Sequence, residues 1–208
     1  PSMAGVLKNV YAFLNLGMAG FVMATVAVRF VFPMVSAEGG AFWIIRTAPL
    51  SLRDFLWSKF WTGLIPVLLL SECLTIAGNE LLGVDPFLKR VAAVTIVFMA
   101  FALVGLATGL GARYPRFAAD NPSQVAGSYG GVAFMILAVL FVIVTIVLVG
   151  WPSSVYLFQR FRRTPLSAVQ QALMIGSFVT AALVSVGTFW LGMRSGVQAL
   201  EDMDRTPS

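Results

Sequence analysis

Glu72, Thr75 and Asn79 recur at i, i+3 and i+7 inside a run that is otherwise apolar from Phe60 to Leu82, and Glu80 flanks them near its far end. Charge is expensive in an apolar stretch long enough to cross a bilayer, so such a stripe has to face other helices or water. Two kinds of chemistry are open to it. The four residues can line a translocation path or gate, or they can hydrogen-bond helices to one another, each contact contributing modestly. Other chemistry is excluded by composition. The chain has no histidine and a single cysteine, Cys73, so the commonest haem, zinc and proton-shuttle ligands, an internal disulfide and a thiolate metal cluster are missing. A Ser-His-Asp triad lacks its base. A phosphate-cradling loop ends in Gly-Lys-Ser/Thr, and none of Lys8, Lys59 or Lys89 stands in that context. The chain is therefore expected to be no enzyme and to bind no cofactor, any energy source being supplied by a partner unless the protein is passive.

A second polar constellation lies between the first two long apolar runs. Residues 36–59 read SAEGGAFWIIRTAPLSLRDFLWSK, with Glu38, Arg46, Arg53, Asp54 and Lys59 among Trp43, Phe55 and Trp57. Pro49 ends one short helix, and Ser51 followed by Asp54 has capping-box spacing with Asp in place of the usual Glu or Gln. The helix this starts carries Leu52, Phe55, Leu56 and Phe60 on one side and can run on into the next span, which puts Trp57 and Trp61 at the level of an interfacial aromatic belt.

The elements that must position these residues follow from hydropathy. With 59% hydrophobic and 11% charged residues, the composition is that of an integral membrane protein. A hydrocarbon core about 30 Å thick needs roughly 20 apolar residues as helix. Five stretches qualify, at 11–35, 60–82, 91–112, 131–150 and 168–193. They are apolar all round rather than alternating, which argues for helices against a barrel. The expected fold is an all-α, polytopic membrane bundle in one domain, with a surface loop at 36–59, a second loop at 111–130 and a polar tail at 194–208. Gly105 and Gly109, like Gly17, Gly20 and Ala24, offer small faces for close helix packing. Val35-Ser36-Ala37 mimics a signal-peptidase site, but the apolar run before it is too long and contains Arg29.

Sorting Lys and Arg by side leaves eight with the 36–59 loop and six opposite, which directs that loop and the C-terminus to the cytoplasm. The formal charge of +5 is scattered over short loops, which suits lipid headgroups rather than nucleic acid.

The pattern Glu38-Gly39, Trp43, Arg46, Ala48-Pro49, Leu50-Ser51 and Lys59 resembles the one that follows the second helix in ABC exporter permeases of the type-2 membrane-domain superfamily. The stretch Gly111–Gly131, with G-A-R-Y-P-R-F, D-N-P-S-Q and S-Y-G-G, is similar to bacterial members of that group. The resemblance implies a six-helix core whose first helix precedes Pro1, making this chain a piece of a longer one, and a permease in the bacterial inner membrane acting with a second copy. It also implies a cytoplasmic coupling helix that docks on a separate ABC ATPase subunit holding ATP and Mg. Carried over to this chain, Glu38, Gly39, Phe42, Trp43, Arg46, Pro49, Arg53 and Lys59 would make that contact, and Arg113, Arg116, Asn121 and Gln124 a second one. Two other functions are compatible with the residues alone: an ion-coupled carrier or channel titrating Glu72 and Glu80, and a non-transporting membrane scaffold.

Overall fold

A computed structural model describes residues 3–41, 44, 47, 51–117, 119, 121–162 and 167–205. Among them every regular element is helical. In chain order these are α1 (Met3–Val26), α2 (Leu52–Leu81), α3 (Pro86–Arg113), the short α4 (Pro122–Ala126), α5 (Tyr129–Arg162) and α6 (Ala168–Arg205). Five helical stretches are long and apolar enough to cross a membrane, the first of them Val10–Gly39.

That first stretch changes pitch on its way. After α1 it widens into a π-helical turn, Ala27–Val31, and then tightens into 3₁₀ turns at Phe32–Met34 and Ser36–Ala41. The change falls beside Pro33, which has no N–H to give the preceding turn, and Phe32 N–H reaches back five residues to Ala27 O.

The joint between α2 and α3 is written in its residues. Gly83 takes φ +58, its N–H donates to Glu80 O, and Val84 N–H donates to Asn79 O, the paired bonds of a Schellman ending. Asp85 then caps α3, its side chain accepting from Phe87 N–H at 2.9 Å, with Pro86 at the first helical position.

α3 runs through the middle of the bundle. Ile96, Met99, Ala100, Ala102, Leu103, Val104 and Ala107 are all fully enclosed. Its closest neighbour is α6, and the contact is made of glycine. A Cβ on Gly109 would stand 1.9 Å from Gly192 O, and one on Gly196 would stand 2.7 Å from Gly109 Cα. Two Gly-x-x-x-Gly faces, Gly105/Gly109 and Gly192/Gly196, thus cross backbone to backbone. On α1, Gly20 meets Met99 and Val142, and Gly17 meets Ile146.

α5 extends beyond the predicted stretch, past Pro152 to Arg162. Proline at that position leaves the carbonyl of Leu148 without its helical donor, and Ser177 on α6 supplies one, its Oγ donating to Leu148 O at 2.6 Å. α6 begins with a capping box: Ser167 Oγ accepts from Gln170 N–H at 3.3 Å and Gln170 Oε1 accepts from Ser167 N–H at 3.1 Å. It stays helical to Arg205, through most of the segment that reads in sequence as a polar tail.

Candidate functional site

At one end of the bundle three segments are tied together by polar contacts. Ser51 starts α2 as its cap, accepting from Asp54 N–H at 3.1 Å while its hydroxyl donates to Asp54 Oδ2 at 2.6 Å. Two turns on, Lys59 Nζ donates to Glu38 Oε1 in an ion pair whose side chains are 23% and 28% exposed. The ammonium also lies 5.3 Å from the centre of the Phe55 ring. Beside Glu38, Gly39 adopts φ +47, ψ −127. A Cβ there would come no closer than 3.6 Å to Phe117 O, so the backbone conformation, not lack of room, calls for glycine. The third segment joins through Ser36, whose Oγ accepts from Arg116 N–H at 3.0 Å. The close of the first helical stretch, the start of α2 and the loop after α3 therefore form one joint.

Next to this joint, α2 and α6 enclose a groove of about 270 Å³ lined by Arg53, Trp57, Trp190, Arg194, Gln198 and Glu201, among others. Arg194 stacks over Trp190, 4.9 Å from its ring centre. Behind the groove Trp57, Phe60, Trp61, Phe101 and Phe189 interlock with centroids 5.2 to 6.3 Å apart. Trp57 is thus part of a packed aromatic block, whereas Trp61 keeps 48% of its surface exposed.

The residues of the second loop lie toward the same end. Arg113 closes α3 with its guanidinium 6.0 Å from the Tyr114 ring. Asn121 caps α4, accepting from Gln124 N–H at 3.2 Å. Arg53, Arg113, Arg116, Asn121 and Gln124 are all exposed. Phe42, Trp43, Arg46 and Pro49 lie outside the described residues.

The stripe on α2 divides. Asn79 is buried and accepts from Asn15 Nδ2 of α1 at 3.1 Å, and the same amide lies 3.5 Å from Thr75 O. Thr75 Oγ1 is enclosed with no hydrogen-bond partner among the described residues. Glu72 is half-buried and has no polar partner among the described residues. Glu80 belongs to the opposite end of the bundle, where it pairs with Lys89 at 2.6 Å. Asn15, Ser177 and the Gly192/Gly196 face went unremarked in the sequence. A lone Asn and a Ser inside apolar runs are the signals that could have found the first two.

The model of a family described as "Putative ATP-binding cassette" matches residues 2–205. No curated protein and no solved structure gives a significant match. The family match overturns the resemblance to the permease superfamily and, with it, the reading as an exporter's permease subunit. It overturns equally the expectations that the chain is no enzyme and that ATP and Mg belong to a partner alone, since the family is described by ATP binding. The ion-coupled carrier and the scaffold, neither of which uses ATP, fall on the same ground.

The described residues of the first pattern, Glu38, Gly39, Ser51 and Lys59, have local duties that any chain making this joint would need. Glu38 pairs with Lys59, Gly39 turns the backbone and Ser51 caps a helix, so they do not single out a permease. The described residues do not, on the other hand, fit a nucleoside triphosphate. Lys59 and Lys89 are each held by a carboxylate, Lys8 lies within α1, and no group of three or more acidic or cysteine side chains converges to hold a metal.

Proposed function

The chain belongs to the ATP-binding-cassette family just described, and from that premise we propose that its described residues are the membrane-embedded part of such a protein. In this reading the polar joint at Glu38, Lys59, Ser36 and Arg116 is the face on which the nucleotide-binding part docks. One observation carries it. α2 stays helical for 30 residues, with Pro66 in its middle, or about 45 Å at 1.5 Å per residue, from the capped, charged turn at Ser51 to Leu81. That is longer than a hydrocarbon core of about 30 Å. Force applied at its first turn is passed into the core ahead of Pro66, because Leu56 and Phe60 are fully enclosed and leave no slack between the joint and the core.

The outward faces support embedding in lipid. Ile65 and Leu69 on α2, Leu140 and Val147 on α5, and Leu183 and Leu191 on α6 are each more than half exposed. A surface of that kind is stable in an apolar medium. Arg53, Arg113 and Arg116 set the charge of the docking face, which the Lys and Arg count directs to the cytoplasm of a bacterial cell.

The test uses the full-length protein with Cys73→Ser and Thr47→Cys, Thr47 being an exposed residue of the 36–59 segment that ends in the joint's Lys59. A membrane-impermeant maleimide is expected to label it only in opened cells. A cleavable cross-linker placed there is expected to capture the nucleotide-binding part, recognised by its photolabelling with an azido-ATP. Labelling in intact cells, or capture of nothing that binds the nucleotide, would overturn the docking face.

A further inference from the structure

At the end away from the joint, α3, α5 and α6 leave between them an open groove of about 440 Å³. It starts at Phe87 and Arg90 in the first turns of α3 and reaches Phe98 and Ser185 deeper in the bundle. Three hydroxyls line it, and each donates to its own helix: Thr95 to Val91 O at 2.7 Å, Thr145 to Phe141 O at 2.9 Å and Ser185 to Ala181 O at 2.9 Å. With those hydrogens turned away, the remaining walls are Val91, Val94, Val149, Phe178 and small residues of α6, and they suit an alkyl chain.

The polar end is different. Arg90 is exposed, and its described hydrogen bond runs from Nε to Pro86 O at 3.4 Å, leaving its terminal nitrogens open. Its neighbour Lys89 is occupied by Glu80. Among the described residues, the groove is thus an apolar trough with an uncompensated guanidinium at its mouth. From Arg90 to Phe98 is roughly 12 Å along the helix, close to the depth of about 15 Å of one leaflet.

We propose that this groove binds an anionic phospholipid, one acyl chain lying along α3 between α5 and α6 and the phosphate held by Arg90. The proposal rests on the reading that the bundle is embedded in a bilayer. It also carries a specificity: a guanidinium attracts a net negative headgroup, while a zwitterionic lipid offers its phosphate together with a cancelling ammonium.

The experiment reconstitutes the full-length protein in nanodiscs of equimolar phosphatidylglycerol and phosphatidylcholine. It then measures by native mass spectrometry the lipid retained after transfer to detergent. Retention of phosphatidylglycerol is expected to exceed that of phosphatidylcholine about fivefold, the ratio equivalent to about 1 kcal/mol for one basic group at an anionic surface. Arg90→Gln is expected to bring the ratio to about one. Val94→Trp, on the exposed lip of the groove, is expected to abolish retention of either lipid without entering the packed seam. Equal retention by the parent protein, an unchanged ratio in Arg90→Gln, or undiminished retention in Val94→Trp would each overturn the site. Failure to enter nanodiscs at all would instead overturn the embedding itself.

Discussion

Lys59 stands two turns beyond the cap at Ser51, which brings its ammonium back across the joint to Glu38 and over the Phe55 ring. A pair exposed to this degree contributes about 1 kcal/mol at most, so its value lies in fixing where α2 leaves the joint. Glu38→Lys or Lys59→Glu alone is expected to lower the melting temperature in detergent by about 2–4 °C. The combined charge swap should recover most of the loss. Strictly additive losses in that double-mutant cycle would mean that the two charges do not interact. The cap and both charges were visible in the sequence, because Ser-x-x-Asp is a local pattern. Their pairing was not, since 21 positions separate them and nothing in the spacing distinguishes an internal ion pair from a contact with a partner. The same applies to Asn15 and Asn79, 64 positions apart. Replacing Asn15 by Leu is expected to destabilise the bundle by about 0.6–2 kcal/mol, measurable as a shift in its unfolding by a denaturing detergent.

At the scale of helices, proline and glycine explain both what was legible and what was missed. Hydropathy points to five apolar helices, and the structure has five long and apolar enough to cross a membrane. Their ends are set otherwise: Pro152 marks a stop by local rules, yet α5 continues because another helix completes its backbone hydrogen bonding. Ser177→Ala should strand Leu148 O and cost about 1–2 kcal/mol. Against a Pro152→Ala background, where the N–H returns, the same change should cost much less, and equal costs in the two backgrounds would remove Ser177 from this role. Glycines separate just as sharply. Gly109→Ala forces α3 and α6 apart and is expected to cost about 1–3 kcal/mol. Gly176→Ala, with nothing within 4 Å of the new methyl group, should be neutral or stabilising by up to about 1 kcal/mol. Thermal unfolding of the two variants side by side checks both.

For the molecule as a whole, the arrangement is a central helix, α3, wrapped by neighbours whose outer faces are apolar. The protein is therefore expected to stay in the membrane fraction through an alkaline carbonate wash, and release into the supernatant would contradict its embedding. Function was less legible at this scale than fold. Composition speaks directly to environment, whereas short motifs such as Glu38-Gly39 and Ser51-x-x-Asp54 report the joint they build, not the family that uses it. Membership of an ATP-binding-cassette family came from similarity along residues 2–205 as a whole.

The glycine crossing of α3 and α6 also bears on how the protein is made. Gly109 leaves the ribosome about 80 residues ahead of Gly192, and at about 5–20 residues per second the interval is on the order of 4–16 s. Throughout that time the glycine face of the central helix lacks its mate. Assembly of the described bundle is thus timed by α6, and a ribosome stalled before it would leave the earlier helices synthesised but the centre unsealed.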